Sequence, residues 1–323
     1  MATARGDQAA FLMREQADFE TPAAAADGDF RLLPFYSISM APTEDVTEDD
    51  AIVGDAFPGE AVAGLRNLTG DITVPLGLQS IGWHLRGLFG DPVTTGGAPN
   101  YTHVFKMAAI PVPLLFTAGI SHRGIDRHFR QAPVAYSGMS LSAQKDGQRS
   151  RTAFKMLGSV EDKLADTLDA APVAFATDTV PVGFQAAIWK DGANVAGVTG
   201  FEFEASLGIT PDQEELNQLP TAASFLDGNW SLTGKISARF RDTSWYDLGS
   251  AGTLSDMELR YELSATLSIV FALHNLRFER VGVPVPNGDI LTAEFGFRAS
   301  RPDSGESPLT VTLKNQTASY GNP

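Results

Sequence analysis

The chain has 323 residues, 43% of them apolar, and 39 carboxylates against 24 lysines and arginines leave a net charge of −15. That length can bury one large core or two smaller ones. The acidity disfavours ordinary nucleic-acid binding, which neutralises phosphate with a basic surface, and on its own fits a charge that simply keeps the protein in solution. With no cysteine, disulfide frameworks and thiolate metal sites are excluded too. The opening residues MATARGDQAAFLMREQ lack the apolar stretch of a signal peptide, and the longest apolar patches are strand-sized rather than membrane-sized.

Asp7–Asp18 fits either a short helix or a first strand, and the small-residue linker 21–29 follows it. Arg31–Met40 reads as a strand in its second half, with Pro34 favouring a sheet edge. Next comes an acidic segment: Glu44, Asp45, Glu48, Asp49, Asp50, Asp55 and Glu60, with no lysine or arginine between Arg31 and Arg66. It is expected to be a solvated loop or an extended arm, since the spacing and closing glutamate of a calcium loop are missing.

In Gly70–Gln79 the apolar Ile72, Val74, Leu76 and Leu78 alternate with Asp71, Thr73, Pro75, Gly77 and Gln79. This period of two predicts a strand with one buried and one wet face, leading into a short helical segment at Ser80–Phe89. Gly90–Tyr101, rich in glycine, proline and threonine, reads as a long loop of the functional or mobile kind. Tyr101–Ile120 and Val134–Ala143 read as strands. A Lys145–Gln148 turn then joins the latter to a strand at Arg151–Gly158. Ser159–Asp169 predicts two or three helical turns with Ser159 as N-cap. Phe184–Trp189 and Phe201–Leu207 flank an Asp191–Gly192 turn, and Pro211–Leu219 is a polar excursion.

The pattern of Gly70–Phe89 then returns. Trp230, Leu232, Gly234, Ile236, Ala238 and Phe240 alternate with polar residues, and Thr243–Leu248 takes the helical place. Met257–Leu273 keeps its apolar residues on odd positions. Val283–Gly288 is a turn, Leu291–Phe297 alternates again, and Leu309–Lys314 is a final strand. The fold class is therefore all-β, a sandwich or barrel with one or two short helices and long loops or arms, carrying an internal duplication. We expect a single domain over 1–323, with an N-terminal arm or strand region 1–66. Repeat-like halves at about 67–160 and 228–316 are joined by 161–227.

No catalytic signature emerges. The five histidines are scattered, no phosphate cradle or G-x-S-x-G elbow is present, and no carboxylate pair stands out. No enzyme activity, cofactor or metal is expected. Trp83 and Trp245 follow the two repeat strands at equivalent places, which favours anchoring of small helices over a carbohydrate platform.

Several stretches, in this order, resemble the tail tube (major tail) proteins of long-tailed bacteriophages. They are QAAFLMREQADFETP, LLPFYSISM, GDITVPLGLQSIGWHLRGLFGDPVTT, THVFK, VTGFEFEASLGI, GNWSLTGKISARFRDTSWYD, VPVPNGDILTAEFGFRA and LTVTLKN. The resemblance covers nearly the whole chain. It implies a tail tube fold and hexameric rings of the chain stacked into a hollow tube, through which genomic DNA is ejected into the host. It also implies partners in a tape measure protein, a tail terminator and a distal tail protein, with assembly in the host cytoplasm and no membrane role. In that setting the candidate lumen-facing residues are Glu202, Glu204, Glu258, Glu262 and Glu294; the competing expectation is that they face outward or pair with Lys235, Arg239 and Arg241. Thr94, Thr95, Gly96 and Gly97 are the candidate ring-stacking loop, and Glu44, Asp45, Glu48, Asp49 and Asp50 the candidate inter-subunit acidic arm. The alternative is a virion-surface β-sandwich binding module, of carbohydrate-binding or adhesin type.

Overall fold

A computed structural model describes residues 3, 5–49, 57, 59–282 and 291–323. It is mostly strand. The first strands are β1 (Ala9–Glu15), β2 (Arg31–Leu33), β3 (Ser37–Ile38), β4 (Ala41–Glu48) and β5 (Ala61–Pro75), followed by helix α1 (Ile81–Phe89). Then come β6 (Val93–Gly97), β7 (Asn100–Lys106), β8 (Phe116–His122), β9 (Arg127–Gln144), β10 (Arg151–Leu164) and β11 (Val173–Ala174). The middle of the chain forms β12 (Ala186–Lys190), β13 (Ala193–Asn194), β14 (Val198–Leu207), β15 (Thr210–Asp212) and β16 (Ser224–Leu226). The last part holds β17 (Trp230–Arg239), α2 (Ser244–Ala251), β18 (Leu254–Ser264), β19 (Leu267–Phe278), β20 (Thr292–Ala299) and β21 (Leu309–Asn315).

One large apolar core underlies nearly all of these strands. Alternation is what builds it: Ile72 and Val74 of β5, Leu232, Ile236 and Ala238 of β17, and Met257, Leu259 and Tyr261 of β18 all point inward. Gly234 keeps the β17 alternation without a side chain. A Cβ there would meet the Phe297 ring at 2.4 Å, so the aromatic occupies the space an alanine would need.

The pairing order of the two halves is the same. In the first, β5 is bonded to β10, β10 to β9 and β9 to β8, all antiparallel. In the second, β17 is bonded to β20, β20 to β19 and β19 to β18, again all antiparallel. Each half thus returns its last strand to the strand that precedes its helix. The halves are joined by two ladders: Gly200–Ser206 of β14 pair with Gln144–Gly138 of β9, and Thr310–Asn315 of β21 with Lys106–Tyr101 of β7.

Helix α1 is apolar nearly all round, which reads as a buried helix, and every one of its residues is buried. Trp83 packs on Phe116 with ring centroids 5.8 Å apart. Gly90, at φ 84°, ends the helix, its N–H bonded to the Arg86 carbonyl. Helix α2 ends likewise on Gly252 in the left-handed conformation, but no residue of α2 is fully buried.

Several elements differ from expectation. Residues 159–164 are not helical: β10 runs on to Leu164, because Val160–Leu164 find a continuous ladder against Ala132–His128 of β9. Ser159 donates to the Ala222 carbonyl instead of capping a helix. Gly90–Tyr101 is a hairpin rather than a loop, β6 pairing with β7. Tyr101–Ile120 is broken between β7 and β8, and Met257–Leu273 folds back on itself between β18 and β19. The Asp191–Gly192 turn, both residues at positive φ, joins β12 to the short β13, while Phe201–Leu207 pairs elsewhere. β1 and β2 are integral to the sheet, with Phe11, Leu12 and Met13 buried. The Val283–Gly288 turn lies outside the described residues.

Candidate functional site

Six strands, β5, β10, β9, β14, β17 and β20, lie side by side with one face on the core and the other in solvent. Strands β3 and β4 form a seventh lane beyond β5. Register fixes which side chains meet on the wet face. Thr73, Ala153, Ser140, Glu204, Thr233 and Arg298 form one row. The adjacent row carries Ser142, Glu202, Lys235 and Gly296, and the next Gln144, Gly200, Ser237 and Glu294. On the other side Asp71, Lys155, Gly138, Ser206 and Ser231 line up. A shallow trough of about 680 Å³ runs along this face.

The face is polar, short in side chain and mixed in charge. Its carboxylates are Asp71, Glu202, Glu204 and Glu294, and its cations Arg151, Lys155, Lys235, Arg239 and Arg298. Glu204 pairs with Lys155 at 2.5 Å, and Lys235 lies between Glu202 at 3.4 Å and Glu294 at 3.5 Å. The negative charge of Glu202, then its hydrogen bond and the charge of Glu294, raise the Lys235 pKa. Arg151 stacks over Tyr36, 3.9 Å from the ring centroid. Such exposed pairs add little stability, but they decide what a passing charge meets.

Glu202, Glu204 and Glu294 therefore come together, while Glu258 and Glu262 do not join them. Those two stand on β18, in the part of the large sheet formed by β12, β18, β19, β21, β7 and β6. There they flank Arg260, at 2.5 Å and 3.7 Å, whose guanidinium lies 4.0 Å over the Trp189 ring. The partner expected for the glutamates is found in Lys235. Arg239 and Arg241 make no ion pair among the described residues. Lys155 and its pairing with Glu204 were missed, although the alternation of Arg151–Gly158 places Lys155 on the wet side.

Thr94, Thr95, Gly96 and Gly97 are exposed on β6. Gly96 sits at φ 94°, where a Cβ would meet the Asn100 carbonyl oxygen at 2.4 Å. The hairpin root is fixed by the buried His103, whose Nδ1 bonds the Thr94 hydroxyl and whose Nε2 bonds the Thr317 carbonyl, each at 2.8 Å. Burial lowers the pKa of His103, so Nε2 carries the proton donated to Thr317 and Nδ1 accepts from Thr94.

The acidic arm is a second hairpin, β4 on the first half of β5, exposed along all of β4. Glu44 pairs with Arg66 at 3.1 Å, and Asp45, Glu48 and Asp49 are exposed. Asp50 lies outside the described residues. The root of the arm is clasped by a segment that looked like a mere polar excursion. Gln213 donates to the Arg66 carbonyl at 2.8 Å and to Asn67 Oδ1 at 3.0 Å, and the Arg66 N–H donates to the Pro220 carbonyl.

Among the described residues no three histidines or carboxylates gather as a metal site. What the described residues present is a broad polar sheet face and two projecting hairpins. A family model described as phage tail tube protein matches residues 6–299, and the chain belongs to that family. It is thus a structural component of a bacteriophage tail, part of the tube. None of the curated proteins matches the chain.

Proposed function

We propose that copies of this chain close their seven-lane sheets side by side into rings, and that the rings stack into the hollow tube through which genomic DNA is ejected. The polar face of β5, β10, β9, β14, β17 and β20 lines the bore. One observation carries this reading: it is a wide, shallow, strand-built surface, rich in serine, threonine and glycine, on which both lysines, Lys155 and Lys235, are held by glutamates of neighbouring strands. Binding of DNA gains its strength from cations that exchange counterions for phosphate. Here Lys155 and Lys235 already hold carboxylates, so phosphate gains little by stopping. The β6–β7 hairpin and the acidic arm reach rings above and below or the neighbouring chain. Hexameric rings of the chain are the arrangement the resemblance implies, and the tape measure, terminator and distal tail proteins are the expected partners, with assembly in the host cytoplasm.

The double variant Glu202→Lys, Glu204→Lys tests the lining. It adds two lysines, frees Lys155 from its partner and leaves Lys235 with Glu294 alone. Tubes are expected to assemble, with genome ejection slowed several-fold and the slowing relieved by salt. Ejection at the unaltered rate would show that this face does not meet DNA.

A further inference from the structure

The two ends of the polar sheet are unlike, and we infer that the turn at Glu214–Leu219 of one copy seats on the turn holding Phe184 of the next. This rests on the tube reading above. Register sets which residues share an end. Pro75, Arg151, Gln144, Gly200 and Arg239 lie toward one end of β5, β10, β9, β14 and β17, and Leu68, Gly158, Gly138, Ser206 and Trp230 toward the other. At about 3.4 Å per residue the ends stand about 24 Å apart along β10. The first end is basic. The turn from β9 to β10 carries Lys145 and Arg149, and Arg151 follows; all three are exposed, and none makes an ion pair among the described residues. Asp146, the carboxylate of that turn, accepts from the Gln148 N–H at 3.0 Å. Phe184 is fixed against the same turn, its N–H donating to the Asp146 carbonyl and that of Gly183 to the Gln148 carbonyl, yet it is 59% exposed. A polar hollow of about 410 Å³, lined by Ser142, Arg149, Arg151 and Gly183 among others, opens beside it.

The other end is acidic. No lysine or arginine occurs between Lys190 and Lys235, and the connection from β14 to β17 carries Asp212, Glu214, Glu215 and Asp227. Its turn is ordered by the Asn217 N–H on the Glu215 carbonyl at 2.9 Å and the Leu219 N–H on Asn217 Oδ1 at 3.0 Å. That order holds Leu216 wholly in solvent and leaves Leu219 62% exposed. Each end thus offers an apolar side chain, kept in water by a hydrogen-bonded turn and accompanied by charges of mainly one sign. Burial of the apolar tips supplies the attraction, while charge steers the encounter and rejects the wrong surface. Like ends repel and unlike ends match: Leu216 and Leu219 meet Phe184, Glu214 and Glu215 face Lys145 and Arg149, and the hollow beside Phe184 has room for a carboxylate side chain. A contact between two different surfaces of one chain does not close about a twofold axis but repeats in a single direction. Every layer then faces the same way as the one before it.

The chain has no cysteine, so introduced cysteines report the contact directly. Tails built from full-length chain carrying both F184C and L216C are treated with a short bismaleimide and separated under denaturing conditions. The expected result is a ladder of covalent multimers with both cysteines, and monomer alone with either one. Dimers from F184C alone or L216C alone would mean that like ends meet. That result, or tubes with both cysteines and no ladder, would overturn the inference and leave the conduit reading standing. Charge gives a second measurement. Lys145→Glu with Arg149→Glu should raise the free-chain concentration that sustains tubes about tenfold at low salt, and adding Glu214→Lys with Glu215→Lys to the same chain should return it to within about threefold of the start. Tubes sustained at the unaltered concentration, with genome ejection slowed, would assign the basic end to DNA phosphate and overturn the inference. A chain absent from the tube wall of the virion would overturn the conduit reading and this inference with it.

Discussion

The strand-and-helix unit occurs twice, as β5–α1 and as β17–α2, and the two copies live in different surroundings. Trp83 and His84 of α1 correspond to Trp245 and Tyr246 of α2. Trp83 and His84 are fully enclosed. His84 stacks on Phe154, and its Nδ1–H donates to the Tyr136 hydroxyl at 2.8 Å, which in turn donates to the Met13 sulfur. Trp245 also meets aromatic rings, Phe278 and Phe295, but Tyr246 reaches the exposed Arg280. The lid over α1 is the end of the chain. Tyr320 packs on His103, Phe105 and Phe175 and accepts from Asn315, whose Nδ2 also donates to the Leu78 carbonyl. A repeated local pattern therefore specifies the helix twice, and the segments packed over it decide whether it becomes core or surface.

Truncating the two tryptophans separates the cases most sharply. Trp83→Ala is expected to lower stability by about 3–5 kcal/mol, and Trp245→Ala by no more than about half as much, as read from urea unfolding of the unassembled chain. Equal losses would mean that α2 is as enclosed as α1. The histidine offers a second contrast, in pH. Burial lowers the pKa of His84 to about 3, against 6.5 for the free side chain. Below pH 6.5 the unfolded chain binds a proton that the folded chain refuses, so stability falls as pH drops from 6.5 toward 3. The slope reaches about 1.4 kcal/mol per pH unit, and above pH 6.5 this group contributes no pH dependence. His84→Phe should flatten that part of the stability profile whatever it does to the value at pH 7. A slope unchanged by the substitution would place the histidine in contact with water.

The smallest effect concerns how each helix begins. The Asp178 carboxylate, supplied from far along the chain, accepts from the N–H groups of Gln79 at 2.7 Å and Ser80 at 3.2 Å, and from the Ser80 hydroxyl. At α2 the local Asp242 accepts from the Ser244 N–H. Asp178→Ala should lower stability by about 1–2 kcal/mol, and Asp242→Ala by less, because water replaces its partner. A reversal of that order, measured by thermal unfolding, would show that the distant carboxylate is incidental.

Much of this was legible in the residues themselves. Alternation placed β5, β17, β18 and β20 and chose their buried faces, and the apolar SIGWHLRGLF marked α1. Local pattern misled at Ser159–Asp169, where SVEDKLAD has helix-forming residues and a plausible cap but meets a ladder on β9. It misled again at Gly90–Tyr101, whose glycines and threonines suit a loop as well as an exposed hairpin. The candidate glutamates show the remaining limit. Period two says that Glu202 and Glu258 both point away from the core, but not that they do so on different stretches of the one large sheet. That depends on β14 pairing with β9 and β17 while β18 pairs with β12 and β19, which is long-range information.

The lysines and glutamates interlocked across the wet face have a further consequence. In the proposed tube, Lys155 and Lys235 would give a travelling polyanion few footholds, and any electrostatic drag would fall to Arg151, Arg239 and Arg298, which hold no carboxylate among the described residues. Drag of that kind acts on phosphates and would be nearly blind to the base composition of what moves.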